Sequence, residues 1–129
     1  MTTTTDSEKV VVDSSGWLEY LTDGAKADVF AKYLEGSKSI LIPTIVLYEV
    51  RKTLLLREGR TKSDIFLSEA FRRIIVAFDE DLAIAAAEFS ITHKLPMADA
   101  IIYATAVHFS AELVTTDSHF TNAPGVKIV

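Results

Sequence analysis

Hydrophobic residues occur in this chain in two patterns, as short β-branched runs and as longer segments with helical spacing. The short runs predict strands, at residues 9–12, 39–42, 74–76, 113–115 and 126–129. Segments with apolar residues three and four apart predict helices, at residues 14–21, 25–34, 45–57, 61–73, 79–93 and 96–109. The chain therefore alternates strands with helices over most of its length.

This alternation predicts an α/β fold, because strands separated by helices form parallel sheets that are covered by helices on both faces. The predicted strands, such as Val10-Val11-Val12, are apolar throughout rather than alternating. That pattern is typical of strands buried on both faces. We therefore expect a three-layer α/β/α sandwich around a central, mostly parallel sheet of four to five strands.

The length and composition indicate one domain. Residues 1–8 are mostly polar and are predicted to be a disordered tail, which leaves residues 9–129 as a single domain. The chain contains no cysteine, which excludes disulfides and thiolate metal sites and fits a reducing cytoplasm. Neither a secretory signal nor a membrane-spanning segment is recognisable. We expect a cytoplasmic protein with no membrane partner.

The formal net charge is −5. This value argues against a protein that grips nucleic acid mainly through a broad basic surface. It does not exclude an enzyme that acts on nucleic acid, because bound divalent ions can supply positive charge at the site itself.

Four acidic residues stand where an α/β fold places its ligand site, beyond the carboxyl ends of the strands. Asp13 follows the first predicted strand and Asp117 the fourth, whereas Asp99 and Glu49 lie early in apolar helices. Each acid alone has a structural explanation, as a helix cap, a turn residue, a charge beside a helix N-terminus or half of an ion pair. Four such acids without four matching bases favour a shared function.

Carboxylates that are held close together repel one another and therefore require a cation. Ligands that are all oxygens select hard ions, Mg²⁺ or Mn²⁺. An ion held by few carboxylates keeps several water molecules; it can polarise one of them into a nucleophile and neutralise charge on a phosphate. The sequence therefore predicts phosphodiester hydrolysis.

Four segments carry a more specific signal. They are residues 12–17 (VDSSGW), 42–50 (IPTIVLYEV), 95–106 (LPMADAIIYATA) and 114–120 (VTTDSHF). In order and spacing these segments resemble PIN-domain nucleases, and more closely the VapC-like toxins of type II toxin–antitoxin systems. The resemblance covers nearly the whole chain and implies a PIN-like fold and a cytoplasmic, Mg²⁺- or Mn²⁺-dependent endoribonuclease.

The resemblance also implies roles for individual residues. The family's catalytic and metal-binding acids map to Asp13, Glu49, Asp99 and Asp117. Ser14 and Thr115 match the hydroxyl residues that orient these acids. Some relatives carry a further acid two residues after the fourth, where this chain has His119, which argues against a strong second ion site. Because water rather than the 2′-hydroxyl would attack, we expect products with a 5′-phosphate and a 3′-hydroxyl.

Both the apolar helix residues and the family resemblance indicate candidate partners. Apolar helix residues exceed what one sheet face needs, which predicts a dimer contact or a groove for a partner helix, around Leu47, Leu54, Leu55 and Phe66. The resemblance implies a VapB-like antitoxin and a homodimer. Arg51 and Lys52 are candidates for contacts with RNA or a partner, and His119 for contact with substrate; each also has an ordinary structural explanation.

Three alternatives differ in function. A phosphoacceptor receiver domain would need paired acids after the first strand and a helix after a C-terminal lysine, whereas Asp13 is followed by Ser14-Ser15 and Lys127 by two residues. A phosphatase of the haloacid dehalogenase type would need an aspartate where Ser15 stands. A non-catalytic PIN-like interaction domain would keep the fold without the chemistry.

Overall fold

A computed structural model of the chain describes residues 8–129. It contains five strands, β1 (Lys9–Val12), β2 (Ser39–Pro43), β3 (Ile74–Val76), β4 (Glu112–Thr115) and β5 (Val126–Ile128). Six α-helices connect them, α1 (Ser14–Leu21), α2 (Ala27–Leu34), α3 (Thr44–Arg57), α4 (Arg60–Ala70), α5 (Glu80–His93) and α6 (Met97–His108). A 3₁₀ turn, Ser118–Phe120, lies between β4 and β5. All the predicted strands and helices are confirmed, with ends shifted by three residues at most.

The predicted N-terminal tail falls largely on residues 1–7, which lie outside the described residues. Glu8, its last residue, is a bend whose carbonyl oxygen accepts a hydrogen bond from the Ser39 backbone N–H at 3.0 Å. Residue 8 therefore already interacts with the start of β2.

The five strands are ordered β3-β2-β1-β4-β5, and every neighbouring pair is parallel. The expected mostly parallel sheet is thus parallel throughout. From β1 the chain winds outward through β2 to β3, and it then crosses back to place β4 on the other side of β1. The direction of winding reverses between β1 and β4, and in open α/β sheets such a switch point is where ligands bind. Receiver domains have the strand order 2-1-3-4-5, so this topology excludes that alternative.

The two directions of winding also determine which face of the sheet each helix covers. Because crossovers between parallel strands are right-handed, α1 to α4 cover one face of the sheet and α5 and α6 cover the other. The most extensive helix contacts agree, since α1 packs against α2 and α3, α3 against α4, and α5 against α6, whereas α3 and α6 make only a smaller contact. Both faces are therefore covered, which explains why Val10, Val11 and Val12 are completely buried.

The four-helix face has its own core. Trp17 of α1 meets Phe66 of α4 edge to face, with ring centroids 5.5 Å apart, and both side chains are completely buried. Gly16 allows α1 to approach its neighbours closely, because a Cβ atom there would lie 2.5 Å from both Phe30 Cε1 and Val12 Cγ1. The start of α1 is thereby held at the end of β1.

This core changes the interpretation of the apolar helix residues. Leu54 and Phe66 are buried within the chain itself, and Leu47 packs partly buried against the same core. The predicted role in a partner surface is therefore wrong for Leu54 and Phe66, because neighbouring helices of the same face bury them. Leu55 is exposed, together with its neighbour Leu56. Within residues 8–129 no helix combines the length and apolar character that crossing a bilayer requires.

Candidate metal centre

Asp13 lies where β1 ends and α1 begins, at the switch point of the sheet. Its side chain caps α1, since Oδ1 accepts a hydrogen bond from the Gly16 backbone N–H at 3.1 Å. The carboxylate also accepts hydrogen bonds from Ser15 Oγ at 2.9 Å and from Thr115 Oγ1 at 2.5 Å. Asp13 therefore caps a helix, which is the structural role considered for it from the sequence. Three hydrogen bonds also hold its carboxylate at the carboxyl end of the sheet.

Burial raises the pKa of Asp13, and the hydrogen bonds from Thr115, Ser15 and Gly16 oppose that shift. Its side chain is almost fully buried, and nearby Asp117 raises the pKa further. An ionised carboxylate has about four acceptor positions, so three hydrogen bonds leave about one for another ligand. Among residues 8–129, the hydrogen-bond partners of this buried acid are two hydroxyl groups and a backbone N–H rather than cations.

Thr115, the last residue of β4, links two of the acids. Its hydroxyl group donates to Asp13 Oδ2 and accepts from the Asp117 backbone N–H at 2.9 Å. The threonine is completely buried, and its hydroxyl group uses its donor and one acceptor position inside the protein. It therefore sets the position of Asp117 relative to Asp13.

Asp99, in the first turn of α6, faces the turn that carries Asp117 and His119. His119 Nδ1 lies 3.2 Å from Asp99 Oδ2 and 3.2 Å from Asp117 Oδ1. One ligand atom of each of these three residues lies within 4.8 Å of the other two. The three side chains thus form a group compact enough to surround one ion.

Burial raises the pKa of Asp99 to about 6, and the negative charge of Asp117 adds to the effect. The hydrogen bond and charge of His119 oppose it, whereas Asp13 raises it slightly. Asp117 thus raises the pKa of both Asp13 and Asp99, which means that these carboxylates lie close enough for their negative charges to repel one another.

Glu49 reaches the same region from α3. Its Oε1 accepts a hydrogen bond at 2.8 Å from the hydroxyl group of Ser14, the residue next to Asp13. Ser14 therefore positions Glu49 beside the N-terminus of α1, across 35 residues of sequence. The four acids predicted from the sequence thus lie around one end of the sheet, after β1, on α3, on α6 and after β4. Asp99 and Asp117 belong to the compact group with His119, whereas Asp13 and Glu49 lie outside that group.

The charges around this group indicate what it can hold. The ion pairs of Arg51, Lys62, Arg72 and Arg73 go to other acids. His119 is the basic side chain that lies beside Asp99 and Asp117. A set of carboxylate oxygens with an imidazole nitrogen is a suitable donor set for a divalent cation. We call Asp13, Glu49, Asp99, Asp117 and His119 the acidic site.

Arg51 and Lys52, the predicted contact residues, lie on α3 but have local partners. Arg51 Nη1 contacts Ser63 Oγ at 2.9 Å and Asp64 Oδ1 at 3.0 Å, so it joins α3 to α4. Lys52 Nζ lies 5.7 Å from the centroid of the Tyr48 ring. The guanidinium group of Arg51 thus has a structural role whatever else it contacts.

Two residues of the site were missed by sequence reasoning. Ser15 donates to Asp13 and its hydroxyl oxygen lies 3.2 Å from Thr116 Oγ1, which connects the segment after β1 to the segment after β4. The available signal was the pair of hydroxyl residues beside each acid, in Asp13-Ser14-Ser15 and Thr115-Thr116-Asp117. Ser14, Ser15 and Thr115 each donate to an acid, whereas Thr116 contacts the hydroxyl group of Ser15.

Comparisons with known proteins agree with this arrangement. A model of the PIN domain family matches residues 10–126. A toxin–antitoxin complex from Klebsiella pneumoniae is similar in structure, with 25% sequence identity, coverage of 91% of this chain and 94% of that chain, and a TM-score of 0.75. No curated protein matches the chain significantly.

Two further structures show the same fold at lower identity. VapC20 from Mycobacterium tuberculosis, described as a sarcin–ricin loop cleaving toxin, is 19% identical over 92% of this chain and 98% of its own, with a TM-score of 0.73. VapBC2 from Rickettsia felis, bound to a DNA fragment from its promoter, is 20% identical over 94% of this chain and 97% of its own, with a TM-score of 0.71. The likeness extends over almost the full length of each chain.

Proposed function

The chain belongs to the PIN-domain family, and from this membership we propose that it is a divalent-metal-dependent endoribonuclease that acts as a VapC-like toxin. The observation that carries the proposal is the acidic site at the switch point of the sheet, where ligand atoms of Asp99, Asp117 and His119 lie within 4.8 Å of one another and the charge of Asp117 raises the pKa of both Asp13 and Asp99. Such a concentration of buried and partly buried acids destabilises the fold unless a cation compensates it. A ligand-binding function explains why the chain tolerates it.

Asp13, Asp99 and Asp117 would hold the ion, Mg²⁺ or Mn²⁺, with Glu49 as a further ligand. When bound, a divalent ion lowers the pKa of water and neutralises negative charge on a phosphate. Asp13 contributes the most rigid position, because its hydrogen bonds with Thr115, Ser15 and Gly16 hold the carboxylate in one orientation. Rigid ligands of this kind favour small ions that demand regular geometry.

We assign to Glu49 the orientation of the attacking water molecule. Ser14 donates to Oε1 and so restricts the rotation of the Glu49 carboxylate. Water attacks phosphorus in line with the departing 3′-oxygen, which leaves a 5′-phosphate and a 3′-hydroxyl group. The 2′-hydroxyl of RNA takes no part in this reaction, so the chemistry is that of a hydrolase.

The proposed partners are an RNA substrate, a VapB-like antitoxin and a second copy of the chain. The proposed location is the cytoplasm. Support for the antitoxin comes from the similar toxin–antitoxin complexes. The exposed apolar residues Tyr48, Leu55 and Leu56 on α3 line a shallow cavity of about 350 Å³. An amphipathic helix that covers these side chains would bury them from water.

The test is cleavage of total RNA by the purified chain, with Mg²⁺ or Mn²⁺ and with a chelator, followed by sequencing of the new ends. We expect metal-dependent cuts with 5′-phosphates, and no cuts by Asp13→Asn or Asp99→Asn. Asp28→Asn, which removes an exposed acid from the first turn of α2, is the matched control and should cleave normally. Cleavage that persists in both site variants refutes the proposed site. No cleavage by the wild-type chain under any condition favours a non-catalytic interaction domain.

A further inference from the structure

His119 is held at the acidic site by its own backbone. Its N–H donates to Asp117 Oδ1 at 2.8 Å, and it is the middle residue of the 3₁₀ turn Ser118–Phe120. The next residue, Phe120, is completely buried, so the turn is anchored in the core. The imidazole ring therefore projects from a fixed backbone position, although 61% of its side chain is exposed.

The distances around this ring match those between neighbouring ligands of a six-coordinate ion. Ligand atoms that bind such an ion at roughly 2.1 Å and at right angles lie about 3 Å apart. His119 Nδ1 lies 3.2 Å from one oxygen of Asp99 and 3.2 Å from one oxygen of Asp117. The three atoms could therefore occupy neighbouring coordination positions with only small movements.

A nitrogen ligand changes which ion such a site prefers. Mg²⁺ takes oxygen ligands and keeps much of its water, whereas imidazole suits first-row transition ions such as Zn²⁺, Cu²⁺, Fe²⁺ and Ni²⁺. Mn²⁺ accepts the same carboxylate oxygens as Mg²⁺ and belongs to that transition series. A site with two carboxylates and one imidazole should therefore discriminate between the two ions, whereas a site of carboxylates alone discriminates less.

We propose that His119 is a direct ligand of the metal ion, beside Asp99 and Asp117, and that it makes the site prefer Mn²⁺ to Mg²⁺. This inference rests on the proposed function, since it requires that the acidic site binds a divalent ion. In the alternative arrangement, a protonated His119 pairs with Asp99 and Asp117 as an internal cation. A metal ion would then have to displace the His119 ring in order to bind. The two arrangements predict opposite effects of removing the ring.

The test measures binding of Mn²⁺ and Mg²⁺ to the whole chain at neutral pH by calorimetry. We expect His119→Ala to weaken Mn²⁺ binding by about tenfold or more, since even indirect supports of metal ligands contribute about 10–100-fold. Mg²⁺ binding should change much less. His119→Asp, which supplies an oxygen ligand at the same position, should bind Mg²⁺ at least as tightly as the wild-type chain and lose the preference for Mn²⁺. His108→Ala removes an exposed histidine at the end of α6 and is the matched control.

Electron paramagnetic resonance of bound Mn²⁺ supplies a readout that is independent of cleavage. We expect a nitrogen hyperfine coupling in the wild-type chain and in His108→Ala, and its loss in His119→Ala. Equal or tighter Mn²⁺ binding by His119→Ala, or the same coupling in that variant, overturns the ligand assignment and leaves His119 as the internal cation. Equal weakening of both ions overturns the selectivity.

The failure of this inference is distinguishable from failure of the proposed function. If the wild-type chain binds Mn²⁺ and loses it in Asp99→Asn, while His119→Ala binds normally, only the role of His119 is wrong. If the wild-type chain binds neither ion, the metal site itself is refuted and His119 has no ligand role.

Discussion

Replacing Asp99 by asparagine should stabilise the ion-free protein although it removes a proposed ligand. Asparagine keeps the size of the side chain and an oxygen that can accept the hydrogen bond from His119 Nδ1, which now lies 3.2 Å from Asp99 Oδ2. What it removes is a negative charge that is partly buried and repelled by Asp117. At this position a negative charge therefore favours binding of an ion but lowers the stability of the ion-free fold.

The size of the effect follows from the pKa of Asp99, which burial and Asp117 raise from 3.8 to about 6. A change of about two pKa units corresponds to about 3 kcal/mol at neutral pH, as an upper bound. The side chain remains 16% exposed, so water relaxes part of this penalty, and we expect a gain of about 1–2 kcal/mol. For a domain of this size that gain raises the melting temperature by about 4–8 °C.

The difference in stability between the wild type and Asp99→Asn depends on pH. The folded state holds the Asp99 proton more tightly than the unfolded state, so the contribution of Asp99 to wild-type stability falls as the pH rises from about 4 to about 6 and is level above that range. The asparagine variant lacks this loss. The difference in the free energy of unfolding between the two proteins should therefore vanish near pH 4 and be fully present at neutral pH.

Urea denaturation of metal-free protein at these two pH values measures the effect. Asp28→Asn is the control, and it should be neutral or slightly destabilising because it removes a negative charge beside the N-terminus of α2. Adding Mn²⁺ should reverse the order, since the ion stabilises the wild-type chain alone. A variant less stable than the wild type at neutral pH, or a difference that does not depend on pH, refutes the reasoning.

Three further predictions concern the surroundings of the site. Thr115→Val removes a buried hydroxyl group that donates to Asp13, and it should destabilise the protein by about 2 kcal/mol in urea denaturation; an unchanged midpoint contradicts the proposed linkage. Gly16→Ala places a Cβ atom 2.5 Å from Phe30 Cε1 and should cost about 1–3 kcal/mol by thermal unfolding, whereas a neutral effect means that α1 can move freely. Mn²⁺ at about 100 times its dissociation constant should stabilise the wild-type chain by about 2.7 kcal/mol; a melting temperature independent of the ion concentration contradicts binding.

Much of the fold was predictable because its signals are local. The apolar run of β1 and the helical spacing of α6 depend on residues that are neighbours in sequence, and both elements were found at nearly their observed bounds. Asp13 and Asp117 were predictable as neighbours for a related reason, since parallel strands end at the same edge of a sheet. That inference needed only the strand ends and the fold class.

Other parts of the site depend on contacts between residues that are far apart in sequence, which local sequence patterns do not predict. Glu49 meets Ser14 only because α3 and α1 pack together, and His119 meets Asp99 because the turn after β4 lies against α6. Phe66 illustrates the converse error, since its helical spacing is the same whether it faces solvent, a partner or Trp17. In the folded chain it meets Trp17, which buries it.

The sequence by itself determined the strands, the helices and the acids at the strand exits, because periodicity and strand ends are properties of adjacent residues. Only the tertiary structure decided the strand order, the position of Glu49 beside Ser14 and the contact of His119 with two carboxylates. These features depend on how distant helices pack across the switch point, and packing geometry is set by the whole core rather than by any one segment.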